Sequence, residues 1–143
     1  MEAATRVSFY LLEGADARAR LLFACRLAEK AWHLGNRVHA RTPDAEAARE
    51  LDELLWTFRQ GSFVPHAILP VAAEDIPPVT IGHGGEAPVA DLLINLAGDA
   101  PADCAGWPRI AEIIDATPEG RELGRQRFRA YRQLGLEPET HTV

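Results

Sequence analysis

Thr5-Arg6-Val7-Ser8-Phe9-Tyr10-Leu11-Leu12, halted by Glu13-Gly14, is the stretch whose reading decides the fold. It is rich in β-branched and aromatic residues and stops at a turn signal, which predicts a buried first strand. Asp16 is placed to cap a helix running to about Leu34, where Gly35-Asn36 supplies the stop. Asn36 to Thr42 (NRVHART) reads as a second strand. Thr42-Pro43 then opens a second helix that passes through Leu54, Leu55 and Trp56 and ends before Gly61. Strand, helix, strand, helix in that order predicts an α/β domain with a largely parallel sheet.

Outward from there, residues 61–85 carry Pro65, Pro70, Pro77 and Pro78 and read as a long loop with one short strand at Val79 to Ile81. Asp91 to Ala97 (DLLINLA) is a buried strand, and a shorter helix is expected around Trp107 to Ala116. Thr117-Pro118-Glu119 opens a last helix reaching about Leu134 and closed by Gly135. The expected fold is a single three-layer α/β domain over residues 1–143. Its mostly parallel sheet has about four to five strands, with helices on both faces, a Rossmann-like topology without a nucleotide-binding motif.

A chain of 143 residues buries roughly 68–70% of its unfolded surface and needs no metal or disulfide staple. Apolar residues make up 47%, charged residues 25%, and the mean hydropathy is -0.14, the composition of a globular protein. No apolar run approaches the roughly 18 residues of a spanning helix, and Met1 to Arg6 lacks signal-peptide features, so a cytoplasmic location is expected. Cys25 and Cys104 are too far apart for a redox pair or a zinc module, and Cys25 sits in an apolar helical pattern that reads as core. The net charge of -6 argues against nucleic-acid binding by the surface as a whole. That sum hides a gradient: residues 119–132 hold five arginines against two glutamates, a local +3.

Two helical faces do not belong to a core. In the second helix Leu51, Leu54, Leu55 and Phe58 share one apolar arc, while Trp56 projects roughly 140° from Leu51, among Arg49 and Asp52. Phe63 and Val64 follow in a loop with no period to turn them inward. Trp56 and Phe63 therefore suit an exposed aromatic patch, the mark of a protein interface; burial of both beneath the long loop is the open alternative. In the last helix Leu123, Ala130 and Leu134 define the expected core arc, with Tyr131 at its edge. Arg121, Arg125, Arg129 and Arg132 project within about 80° of one another on the other side, with Phe128 beside them. Like charges repel unless an anion meets them, so the stripe points to an acidic partner and the aromatic to an apolar anchor. A solvated basic face near a helix C-terminus is the alternative.

Signatures of catalysis are missing from the text. The first strand-to-helix turn, Leu12 to Ala17, has neither GxGxxG nor a GKS/GKT loop. Gly82-His83-Gly84-Gly85-Glu86 has no helix start after it and reads as a turn. His39, His66, His83 and His141 show no helical pairing, Ser8 and Ser62 lack a nucleophile-elbow context, and no two carboxylates face each other by spacing. No cofactor or metal is expected.

VSFYLLEG (Val7–Gly14), LDELLWTF (Leu51–Phe58) followed by GSFVPH (Gly61–His66), DLLINL (Asp91–Leu96) and RQRFRAYRQLG (Arg125–Gly135) together resemble the chi subunit family of bacterial DNA polymerase III holoenzyme. The resemblance runs in the same order and spacing over nearly the whole chain, and its most specific pieces are the tryptophan with SFVPH and the Arg-rich terminal helix. It implies a non-catalytic member of the clamp-loader assembly that pairs with the psi subunit and binds the C-terminal tail of single-stranded DNA-binding protein. By similarity Trp56, Phe63, Val64 and Pro65 fall in the psi-binding surface, with His66 shaping the loop. Arg121, Arg125, Phe128, Arg129 and Arg132 take the tail-binding positions, and Ile114 lies on the pocket floor. Phe128 stands where a tyrosine is familiar and arginine where lysine is familiar, which preserves aromaticity and charge and loses one hydroxyl. The tail is acidic and ends in an apolar Pro-Phe pair with a free carboxylate, matching guanidiniums beside an apolar pocket. The implied partners are thus psi, the tail and, indirectly, the clamp loader, with neither strong direct nucleic-acid binding nor a membrane.

Two other classes compete. One is a small nucleotide-binding or hydrolytic α/β enzyme using the Gly82 to Glu86 loop. The other is direct single-stranded DNA binding by the Arg stripe with Phe128 as a stacking platform, for which one aromatic and a local +3 on a -6 protein is thin.

Overall fold

The opening stretch forms the strand β1 (Arg6–Leu11), with Val7 and Phe9 buried and Tyr10 and Leu11 half-buried. The structure, a computed structural model, describes residues 5–84 and 87–143. Helix α1 (Ala17–His33) begins where the Asp16 carboxylate accepts the Arg18 amide at 2.9 Å, and it is followed by Gly35 at φ +86°. After β2 (Val38–Arg41), helix α2 (Ala45–Thr57) is capped by Asp44, whose side chain accepts from the Ala47 amide at 2.8 Å. The helix starts just after Thr42-Pro43 because Asp44 supplies the capping oxygen that proline cannot. Strands β3 (His66–Ile68), β4 (Val79–Gly82), β5 (Leu92–Asn95) and β6 (Arg109–Ile114) follow. Helix α3 (Pro118–Gln133), with the Thr117 hydroxyl accepting from the Gly120 amide at 2.9 Å, leads to β7 (Glu139–Thr142).

The seven strands form one sheet in the order β3-β4-β2-β5-β6-β1-β7, and every pairing is parallel. Alternation sorts the strand residues onto two faces. On the first, Val38, Ala40, Val79, Ile81, Leu92, Ile94, Ala111 and Ile113 pack with Leu51, Leu54 and Leu55 of α2 and with Ala24, Cys25 and Ala28 of α1. On the second, Val7, Phe9, Ile110 and Ile114 pack with Tyr131 and Phe128 of α3, joined by Trp107 and Cys104. Among the described residues no helix is long and apolar enough to cross a membrane.

Three expectations fail. Among the described residues the sheet has seven strands instead of four to five, because β3 lies inside the expected loop, β6 stands where a helix is expected and β7 follows the last helix. The helix expected around Trp107 to Ala116 is instead β6, a central strand buried on both faces. Such a strand shows a continuous apolar run instead of alternation, and Ile110, Ile113 and Ile114 are the β-branched signal that marks it. In α3 the core arc is not Leu123, Ala130 and Leu134. Leu123 is 37% and Leu134 59% exposed, whereas Gly124, Arg127 and Tyr131 are buried.

Arg127 is inside because Glu112, at the centre of β6, is fully buried and must be met. Arg127 Nε donates to its Oε1 at 2.8 Å, while Tyr131 Oη at 2.6 Å and Asn95 Nδ2 at 2.7 Å donate to Oε2. Arg127 also donates to the Gly98 carbonyl at 3.2 Å, and among the described residues no buried side-chain polar atom lacks a partner. Burial pushes the Glu112 carboxyl above the usual carboxylate range, opposed by the Arg127 charge and the donors on its oxygens. A second carboxylate ties α1 to the segment after α2. Glu29 accepts from the Ser62 hydroxyl and pairs with Arg59 at 2.7 Å. The Ser62 bond, assisted by Arg59, holds the Glu29 carboxyl below its ordinary value.

Removing one member of the buried pair leaves an uncompensated charge. Arg127→Ala is expected to cost about 3–5 kcal/mol in urea unfolding, against about 0.5 kcal/mol or less for Arg129→Ala on the exposed side; equal losses would deny the network its role. Glu29 has a lowered folded-state pKa, so its contribution is present above the unfolded value of about 4.3 and lost as pH falls through the folded one. Glu29→Gln should therefore reduce stability at neutral pH and flatten the acid limb of a pH–stability curve below about pH 4.

Candidate functional site

Two surfaces stand out, and they lie at opposite ends of the sheet. The first is a cleft of about 200 Å³ beside α3, with a floor of Phe9 and Leu11 from β1, Ile114 from β6 and Phe128 from α3. Arg121, Arg125 and Thr140 of β7 complete its wall. It exists because α3 approaches β6 closely at Gly124, where a Cβ would stand 3.0–3.3 Å from three Ile114 side-chain carbons. Phe128 leans on Phe9 with ring centroids 5.2 Å apart, and Phe9 meets Tyr131 edge-on at 5.9 Å.

The arginines at this cleft are not equivalent. Arg121 donates to the Leu12 carbonyl at 2.8 Å, which fixes its guanidinium at the cleft. Arg125 forks onto Glu122 at 2.9 and 3.1 Å, and Arg129 reaches the same carboxylate at 3.9 Å. The Arg125 bonds and charge hold Glu122 below the usual carboxylate range. Arg132 is exposed one turn further on. Arg127 is spent on Glu112, so residues 119–132 leave outside the core four arginines, with Arg121 half-buried, against Glu119 and Glu122, or +2. The structure thus brings Arg121, Arg125, Phe128 and Ile114 around one cleft and sets Arg129 and Arg132 along the helix beyond it. Phe9 and Leu11 could have been read from the β1 alternation, whereas Thr140 belongs to a strand the sequence did not disclose.

The second surface lies by β3. Trp56 is 58% and Phe63 77% exposed, and Pro65 is exposed as well, so the long loop does not cover them. Val64 does not belong to that surface: it is 1% exposed, within the core, because the extended segment alternates Phe63 out, Val64 in, Pro65 out. His66 forms the floor under Trp56, with ring centroids 4.6 Å apart. Its Nδ1 lies 2.7 Å from the Val64 carbonyl and its Nε2 3.2 Å from both the carbonyl and the carboxylate of Asp52. Ser62, held by Glu29, fixes the segment just before Phe63. The aromatic patch is therefore exposed yet anchored at residues 62, 64 and 66.

The Gly82 to Glu86 loop begins at the last residue of β4, and its His83 is exposed; Gly85 and Glu86 lie outside the described residues. Among the described residues no three of His, Cys, Asp and Glu gather as metal ligands. Both surfaces offer apolar and charged contact area, an arrangement suited to binding proteins.

Known proteins agree with this architecture. By fold, the chain is similar to the crystal structure of T4 UvsW with a TM-score of 0.65 at 10% identity, over 97% of this chain and 41% of that one. By sequence it is 43% identical over 141 residues to the DNA polymerase III subunit chi of Pseudomonas aeruginosa, covering 97% of each chain. It is 29% identical to that of Escherichia coli K12 over 94% of this chain and 96% of the relative, and 31% identical to that of Haemophilus influenzae over 94% and 92%. The family model described as DNA polymerase III chi subunit, HolC, matches residues 4–139. With nearly every described strand and helix inside that match, the chain belongs to the DNA polymerase III chi subunit family.

Proposed function

We propose that this chain is a non-catalytic accessory subunit of DNA polymerase III in the cytoplasm, an adaptor that pairs with the psi subunit and holds the acidic C-terminal tail of single-stranded DNA-binding protein. The observation that carries the reading is the cleft beside α3, where an apolar floor of Phe9, Leu11, Ile114 and Phe128 meets the guanidiniums of Arg121 and Arg125. A tail that ends in an apolar ring with a free carboxylate needs that combination: a pocket for the ring and a charge-assisted hydrogen bond for the carboxylate. Arg129 and Arg132 extend the charge along α3 for the acidic residues upstream. Trp56, Phe63 and Pro65 form the psi face, with Val64 and His66 supporting it from beneath. A single tail contact is weak, and several tails on one tetramer raise its effective strength through local concentration. Psi would anchor the domain to the clamp loader, so that polymerase machinery stays near template coated with single-stranded DNA-binding protein.

Titration of a labelled acidic tail peptide tests the cleft. Arg125→Ala should weaken binding by about 1.5–3 kcal/mol, and binding should fall with salt as exposed charges are screened. Glu122→Gln, which releases Arg125 and Arg129, should tighten it. Tight binding of single-stranded DNA alone, with no binding of the peptide, would overturn the adaptor reading.

The aromatic face has its own readout. Phe63→Ala should remove a contact worth about 2 kcal/mol or more and abolish co-purification with psi while the tail peptide binds as before. Joint loss of both would contradict the assignment of two separate faces.

A further inference from the structure

The sheet carries a cavity that neither docking face uses. Helix α2, which follows β2, packs on the first face, while the segments after β4 and β5 cross the second. Where they part, a cavity of about 450 Å³ opens over the second face and reaches the carboxyl ends of β2 and β4 at Arg41 and Gly82, with His39, Leu93, Asp103 and Trp107 among its other lining residues. A crevice at the carboxyl ends of parallel strands, where the connections diverge to opposite faces, is the usual ligand position in open α/β sheets. Its volume falls in the ordinary range of small-molecule sites, roughly 300–1,000 Å³.

We propose that this cavity binds a nucleobase, a neutral planar heteroaromatic ring whose hydrogen-bonding edge meets Nε2 of His39. His39 is 5% exposed, and its Nδ1 is held 2.7 Å from the Thr80 hydroxyl. Nε2 makes no hydrogen bond to any described residue and is not itself buried: it is accessible from the cavity that the ring lines. The Thr80 hydroxyl also lies 3.4 Å from the Val38 carbonyl, so it can give its proton to Nδ1 or receive one from it. Nε2 then presents an N–H or a lone pair according to what it meets, and the edge of a nucleobase offers both kinds of partner.

Geometry keeps that position available. At Gly82 a Cβ would stand 2.9 Å from Cε1 and 3.0 Å from Nε2 of His39, so glycine leaves room beside the ring. Trp107 lies nearly parallel to the imidazole at 15°, with centroids 5.9 Å apart, and with Leu93 it gives the cavity an apolar, π-bearing wall. Burial pushes the imidazole down to about 4, so it is neutral at physiological pH. The Arg41 guanidinium is engaged by Asp99 at 2.9 Å and by Asn95 at 3.0 Å, and Asp103 adds a negative charge at the rim. Phosphates are therefore poorly served, and the base itself is what the cavity suits.

A base could come from a free nucleoside or from a single strand. The test uses the full chain labelled with ¹⁵N at histidine, titrated separately with adenosine, guanosine, cytidine, their 5′-monophosphates and a single-stranded oligodeoxynucleotide. A saturable shift of the His39 Nε2 resonance is expected with at least one nucleoside, weaker with its monophosphate. Affinity, read by calorimetry so that a variant without the imidazole can be compared, should fall roughly tenfold in His39→Leu, for the lost hydrogen bond, and at least as far in Ala87→Trp, which fills the cavity from an exposed position. An oligonucleotide producing the same shift, blocked by Ala87→Trp, would support the proposal with the strand as the source. Absence of any His39 response to nucleosides and oligonucleotide overturns it, as does a response unchanged in Ala87→Trp. Tail-peptide binding by the same variants reports folding and the adaptor role independently.

Discussion

A carboxylate buried in the middle of a sheet dictates how the last helix must lie. Glu112 sits on β6 between β5 and β1, fully enclosed, and an unmet charge there would cost several kcal/mol. Its donors come from the neighbouring strand, through Asn95, and from α3, through Arg127 and Tyr131. Those two α3 residues are four apart and share one side of the helix, so meeting Glu112 fixes the rotation of α3 about its axis. Arg121, Arg125, Arg129 and Arg132 then project roughly 120–160° away from Arg127, and Phe128 is set down on Phe9. The cleft and its charged edge follow from how α3 satisfies one buried acid.

The opposite end of the sheet is fixed by different means. Glu29 reaches from α1 to Ser62 and Arg59, Val64 enters the core, and His66 is held between Asp52 and the Val64 carbonyl. Three anchors within five residues leave Phe63 and Pro65 exposed with little freedom to lose when a partner covers them, which favours binding. Between the two ends lie six strand spacings, roughly 29 Å at about 4.8 Å each. The sheet acts as a rigid spacer that holds the exposed aromatic patch at Trp56 apart from the cleft at Phe128.

Much of this was legible in the chain. Strands β1, β2 and β5, the caps at Asp16 and Thr117, and the outward turn of Trp56 each carry a local signal that tertiary packing preserves. Strand β6 is hidden in the sequence because burial on both faces erases alternation, and β7 because Glu139 to Thr142 is polar and exposed, an edge strand held by pairing with β1. The core face of α3 was the instructive failure. Gly124, Arg127, Phe128 and Tyr131 keep the i, i+3, i+4, i+7 spacing of a buried stripe, yet glycine and arginine hold two of its places. Leucines at 123 and 134 drew the reading to the wrong arc, since nothing in the helix itself announces a buried acid on a distant strand.

The same spacing logic separates the two halves of the second sheet face. Over β6 and β1 the residues pointing to that face are Ile110, Glu112, Ile114, Val7, Phe9 and Leu11, and α3 covers them. Over β2 and β4 the corresponding residues are His39, Arg41, Thr80 and Gly82, which are polar or small. An apolar strand face demands a helix, because leaving it wet forfeits roughly 25 cal/mol for each Å² exposed. A face carrying His39, Thr80 and Gly82 demands hydrogen-bond partners instead, and a helix packed there would bury polar groups with nothing to meet them. Among the described residues the segments after β4 and β5 carry only a short 3-10 turn at Cys104–Gly106, and a cavity remains on this half of the sheet. That half of the sheet thus keeps polar atoms facing a cavity, while the other half is closed around Glu112.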